Sequence, residues 1–333
     1  MDRMDFLQAV ARTRVFETRL LTWARIERMV DARDIEEVFR ILGETEYANV
    51  MPGSLRGEDY EKILYAELKR VYKLMEELSA EKIVVDLMAL KYDYHNLKTL
   101  VKSKALNKDL DELYIPLGTQ DFQQIKTAYL AGDLKDVDPK FREALEAATN
   151  DFELKGDPQR IDLILDKYYF QHLYELAKET DIPLFVNYVQ DLIDFSNIKT
   201  LIRLKKQNKD LRFVEEALLS HGKIKKEEIA LLLTDSLDSI INKLRNYEIG
   251  PATKKGLEAY QRTGRLSDFE KEMDNYLMGL NKPSQYIHFG PEPIFSYLVA
   301  KETEIKVLRI IMVSKLNKLS PDAIRGRLRD LYV

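Results

Sequence analysis

No cysteine occurs anywhere in this 333-residue chain, and there are only four histidines and one tryptophan. Without cysteine there is no disulfide, no thiolate nucleophile and no zinc–thiolate site, a composition that fits a reducing compartment. The histidines, at His95, His172, His221 and His288, are nowhere spaced as metal ligands, so no metal is expected. Glycine and proline together number 23, well under the roughly 12% of average usage. That scarcity, with abundant Leu, Lys, Glu and Ala, favours helix. No apolar run approaches the ~18 residues a membrane span needs, and the opening MDRMDFLQAV interrupts its short apolar run with Asp2, Arg3 and Asp5, unlike a signal peptide.

A formal net charge of −4 argues against nucleic acid as a partner, because phosphate contacts require a basic field. There is also no phosphate-binding P-loop, no dinucleotide-binding glycine fingerprint, no nucleophile elbow and no carboxylate pair marked by pattern as acid and base. The chain is therefore expected to carry no catalytic residue, no cofactor and no small-molecule substrate.

What the chain does contain is a repeat. DYHNLKTLVKSKALNKDL, from Asp93 to Leu110, returns 101 positions later as DFSNIKTLIRLKKQNKDL, from Asp194 to Leu211, with ten of eighteen positions identical. Four more positions swap like for like: Tyr94/Phe195, Leu97/Ile198, Val101/Ile202 and Lys102/Arg203. The register continues downstream, where Gly118 and Ile125 match Gly222 and Ile229 at the same seven-residue spacing. A weaker third copy aligns Ile26–Val38 with Ile125–Val137 and KETEIKVLRI, Lys301 to Ile310, with the core motif. In that alignment Glu304 stands at the place of Asn96 and Asn197, and Lys306 at that of Lys98 and Lys199. A period near 100 residues exceeds the roughly 20 to 50 of solenoid arrays, so each copy should be a small domain. The boundaries read as 1–113, 114–218 and 219–333.

Periodicity makes the class all-α. From Arg14 to Leu42 apolar residues, Val15 and Trp23 among them, recur at three- and four-residue steps and predict two helices, the second capped by Asp34. Helix is expected again from Asp59 to Leu78, through Leu87–Val101, from Asp157-Pro158, and from near Pro183 through Ile198. The asparagine of each NKDL offers a left-handed stop. After Gly290, Pro291 and Pro293 about 22 residues run without a breaker, the longest and most buried helix expected.

Two sets of polar residues invite a functional reading. Asn96, Asn197 and Glu304, with Lys98, Lys199 and Lys306, either line a common axis and meet a partner there or hold neighbouring helices in register through hydrogen bonds, the simpler of the two. The basic helix ends, Lys102, Lys104 and Lys108, then Arg203, Lys205, Lys206 and Lys209, either complement helix dipoles or form a positive ring that steers an acidic partner.

Three segments carry a family likeness: ARTRVFETRLLTWARIERMVDARDIEEVFRILGETEYANV at the start, KYDYHNLKTLVKSK in the first third, and GPEPIFSYLVAKETEIKVLRIIMVSKLNKLSPDAIRGRLR at the end. In order and length the chain resembles the C subunit of the V-type (archaeal and bacterial vacuolar-type) ATP synthase, the family related to the d subunit of eukaryotic vacuolar ATPases. The middle copy departs most, at Ser196 where the first has His95. The resemblance implies a funnel of three similar helical domains about a pseudo-threefold axis. It further implies a non-catalytic rotor part on the cytoplasmic face of the membrane, seated on the proteolipid ring and receiving a shaft made of the D and F subunits. A free-standing helical adaptor is the alternative reading, and an all-helical enzyme would need convergent aspartates or a metal. Neither the coupling ion nor the direction of work is encoded here.

Overall fold

A computed structural model describes residues 1–53 and 56–333. Among these the chain is entirely helical. The α-helices are α1 (Leu7–Glu17), α2 (Trp23–Asp31), α3 (Ile35–Leu42), α4 (Tyr60–Leu78), α5 (Ile83–Leu106), α6 (Phe122–Ala131), α7 (Pro139–Lys155) and α8 (Pro158–Thr180). They continue with α9 (Pro183–Lys206), α10 (Leu211–Ala217), α11 (Lys226–Ala230), α12 (Leu237–Leu244), α13 (Gly250–Thr263), α14 (Leu266–Asn281), α15 (Glu292–Leu316) and α16 (Pro321–Arg325). Two compact units result, one of Asp86–Thr234 and one that joins Met1–Val85 to Asp235–Val333.

Local chemistry fixes most boundaries. Asp34 accepts from the Glu37 N–H at 2.9 Å and starts α3, as expected of a short acid before a dipole's positive end. Asp157 does the same for α8, accepting from the Gln159 N–H at 2.9 Å with Pro158 in the first turn. The repeat helices α5 and α9 stop beside Asn107 and Asn208, whose φ values of 48° and 53° are the left-handed turns their NKDL motifs anticipate. The last repeat helix, α15, has 25 residues and is the longest of those described.

One boundary departs from expectation. Periodicity from Arg14 to Leu42 predicts two helices, but α1 ends at Glu17, a turn covers residues 18–22, and α2 and α3 follow. The turn forms because the Leu21 N–H leaves the helical ladder to donate to Glu304 Oε2 at 2.6 Å, a partner 283 positions away. With the two helices set apart by this turn, Val15 on α1 and Trp23 on α2 lie 50% and 40% exposed rather than in the core.

In the continuous unit, the like-for-like pairs of the repeat are its core: Tyr94, Leu97 and Val101 on α5 and Phe195, Ile198 and Ile202 on α9 are all buried. Each such side chain contributes roughly 1.5–3 kcal/mol by burial, which is why size is preserved while identity drifts. Tyr94 also packs against Phe141, Tyr169 and His172, with ring centroids 5.5, 5.6 and 6.0 Å away.

In the discontinuous unit, α15 packs against α1, α3, α4, α14 and α16, and so is apolar on nearly every side. Its middle carries charge into that core. Lys301, 2% exposed, places its ammonium 2.8 Å from Glu304 and 3.3 Å from Glu67, while Arg70 grips Glu67 from the rim at 2.8 Å. Tyr47 donates its hydroxyl to Glu304 at 2.8 Å. Burial works to lower the Lys301 pKa, but the surrounding Glu304, Tyr297 and Glu67 outweigh it and hold the ammonium protonated. Such a network is costly to break by halves, since removing one partner strands a buried charge. Lys301→Met should therefore lower stability by about 3–5 kcal/mol in urea unfolding, and Lys301→Met with Glu304→Gln by visibly less. A single variant within about 1 kcal/mol of the native chain would show that the network is not holding this core.

Candidate functional site

The polar positions shared by the copies are structural. Asn96 donates to the Ile115 carbonyl and accepts from the Ile115 N–H, both at 2.8 Å. Asn197 makes the same pair of bonds with Leu219, at 2.9 and 2.8 Å. At the third position Glu304, as a carboxylate, accepts only, taking the Leu21 N–H. All three are at most 2% exposed, so they meet no outside partner along an axis; what they hold is the backbone of a loop rather than a neighbouring helix. A buried peptide group with no partner is expensive, and an amide side chain satisfies both its donor and its acceptor at once.

One turn before each asparagine sits an aspartate with the same duty. Asp93 accepts from the Thr119 N–H at 2.8 Å, and Asp194 from the Lys223 and Ile224 N–H groups at 3.0 and 3.2 Å. The matched glycines of the repeat now have a reason: a Cβ on Gly118 or Gly222 would lie 2.0 Å from the Oδ1 of Asp93 or Asp194. In the third copy this aspartate position is Lys301, so the charge is inverted and the copy looks weaker in sequence.

Of the lysines next to these clamps, Lys98 pairs with Asp166 and Lys306 with Asp274, the latter at 2.7 Å. Four of the seven basic helix-end residues also have partners within the chain. Lys102 reaches Asp162 at 2.6 Å and Lys205 the Leu233 carbonyl at 2.6 Å. Lys104 lies 4.5 Å over the Tyr129 ring and Lys209 4.9 Å over Phe213. Lys108, Arg203 and Lys206 are exposed, with no side-chain partner among the described residues. The end of α5 borders a 440 Å³ cleft with Lys104, Lys108 and Lys126, and the end of α9 borders a 550 Å³ cleft with Lys199, Arg203 and Lys209. These clefts present charge to solvent without converging donors on one point.

Three of the four histidines meet partners within the chain, and His288 is exposed. His95 meets the Leu113 carbonyl at 2.9 Å, His172 the Tyr94 hydroxyl at 3.2 Å, and His221 stacks on Tyr174 at 4.6 Å. Among the described residues no group of three potential metal ligands forms, and no helix is long and apolar enough to cross a membrane.

A tandem helical protein whose shared polar residues hold its own loops has the build of a structural subunit. A family model described as the ATP synthase (C/AC39) subunit matches residues 9–327, and the chain belongs to that family. It is 26% identical over 323 residues to the C subunit of the V-type sodium ATPase of Enterococcus hirae, covering 95% of each chain. It is also 26% identical to the C subunit of the A-type ATP synthase of Methanocaldococcus jannaschii, over 99% of this chain and 88% of the relative. A third relative, the corresponding A-type ATP synthase protein of Archaeoglobus fulgidus, is 24% identical over 98% of this chain and 97% of its own. The chain is thus a non-catalytic subunit of a V/A-type rotary ATPase.

The two aspartate clamps carry a pH dependence. Burial is the main cause that lifts Asp93 to about 6 and Asp194 to about 7, outweighing the backbone N–H groups that favour the anion. A pKa raised in the fold means that the native state binds the proton more tightly than the unfolded chain. The stabilisation is complete below the ordinary carboxylate range and is lost as pH rises through about 6 to 7. Asp194→Asn imitates the protonated form, so between about pH 5 and about pH 8 the native chain should lose stability relative to this variant. Parallel urea midpoints for the two proteins across that range would exclude the linkage.

Proposed function

We propose that this chain is a central-stalk part of the rotor, seated on the membrane proteolipid ring at its cytoplasmic face and receiving the shaft of the D and F subunits, so that rotation passes between them for ion transport. In this reading the modules 1–113, 114–218 and 219–333 surround a pseudo-threefold axis and leave a funnel for the shaft. The observation that carries it is the recurrence of the clamps in the three copies. The first module's helix holds the opening of the second through Asn96 and Ile115, and the second holds that of the third through Asn197 and Leu219. The third returns to the first through Glu304 and Leu21. The same helix-to-loop tie thus recurs at the equivalent place of each copy, which supports reading the chain as three like modules.

A part that transmits torque must not wind up under load, and closely packed helices with buried polar ties resist shear. Its grip on the shaft must still form and release, which suits exposed cations that set register against an acidic surface. In this reading the exposed Lys108, Arg203 and Lys206 take that role, joined by Lys104 and Lys209, while Lys102 and Lys205, engaged internally, add field rather than contact.

Isolation of the intact complex tests the reading, since this chain should leave the membrane with the shaft and ring proteins. Reversing Lys108, Arg203 and Lys206 to glutamate should weaken shaft docking about tenfold at low salt and flatten its salt dependence, with helicity unchanged. A chain that purifies alone, or variants that dock identically across the salt series, would count against it.

A further inference from the structure

A cationic surface outside the predicted basic ends lies in the discontinuous unit, where a groove of about 580 Å³ runs along the second half of α15. The helix contributes Lys306 and Arg309, the start of α14 contributes Arg265 and Lys271, and the segment after α16 contributes Arg327 and Arg329. Three carboxylates answer these six cations: Asp268 pairs with Arg265 at 3.1 Å, Asp274 with both Lys306 and Arg329 at 2.7 and 3.0 Å, and Glu61 with Arg309 at 2.6 Å. Lys271 donates to the Gly326 carbonyl at 3.0 Å. The groove keeps an excess of positive charge.

Its floor is apolar. Ile310 and Val313 line it, and Val313 is 37% exposed. From Lys306 to Ser314 the wall spans about 12 Å, roughly two helical turns. A small anion would need donors converging on one point and would leave this strip wet. Here the cations, apart from the buried Arg329, are spread along the groove with apolar residues between them, the complement of a helix that carries acidic residues beside an apolar ridge.

We propose that this groove docks an acidic, amphipathic helical segment of a partner protein; resting on the functional reading above, that partner is the shaft. The apolar ridge fills the Ile310 and Val313 strip, and its carboxylates sit between the rims. The cations engage it without giving up their internal partners, so the contact forms and releases with little rearrangement.

The test uses the full chain with the purified D–F shaft pair and two kinds of variant. Lys271→Glu with Arg327→Glu reverses rim charge at a half-buried and an exposed position, and Val313→Asp spoils the floor at a position already open to water. Each should weaken docking about tenfold or more, and only the rim variant should flatten the salt dependence. Unchanged unfolding midpoints show that the fold is intact. If native and variant chains dock the shaft equally, the groove is wrongly assigned while the rotor reading stands; if the native chain does not dock, both fall. Loss in the variants of binding to phosphatidylglycerol vesicles or to inorganic pyrophosphate, with shaft docking unchanged, overturns the proposal in favour of a lipid surface or a small anion.

Discussion

A side chain in the middle of one helix, bonded to the backbone of a loop, is the interaction on which this structure depends. Asn96, Asn197 and Glu304 each satisfy a peptide group in a loop that no helix or strand could pair. The substitution of glutamate at the third place has wide effects. A buried carboxylate needs a cation, which explains Lys301 where the other copies have aspartate; Lys301 in turn meets a second acid, Glu67, which Arg70 completes. One change in the repeat has recruited a charged core, and that core ties α15 to α4 and to the turn at Leu21.

Much of the fold can be read in the sequence because its signals are local. Asp34, Asp157, Pro158 and the two NKDL asparagines act through neighbours a few residues away, and each lies where its chemistry places it. The paired swaps Tyr94/Phe195 and Val101/Ile202 mark two equivalent cores for the same reason. The break between α1 and α2 leaves no local signal, since its cause, Glu304, is almost a whole chain away. Lys301 resembles any surface lysine in sequence, although Glu304 one turn later, at a position otherwise held by asparagine, is a visible hint.

The candidate site is less legible than the fold. Pattern alone gathers the basic ends of α5 and α9, but it cannot tell Lys102, held by Asp162, from Lys206, which faces water. Nor can it assemble the groove along α15, whose lining comes from three separate segments of the chain. Charge at a helix end is legible in a sequence. Which of that charge remains available depends on tertiary neighbours, and only about half of the predicted set is left after they are counted.

The join between Leu21 and Glu304 also sets an order of events when the chain is made. Residues 1–85 belong to the same compact unit as residues 235–333. At a synthesis rate of about 5–20 residues per second, the first segment waits roughly ten to forty seconds for α15 to emerge. During that interval the middle unit, continuous in the chain, is free to fold, while the opening helices are held apolar face outward with nothing to cover them. A nascent polypeptide in that condition is a natural client for a holding chaperone, a cost of joining the two ends of a chain.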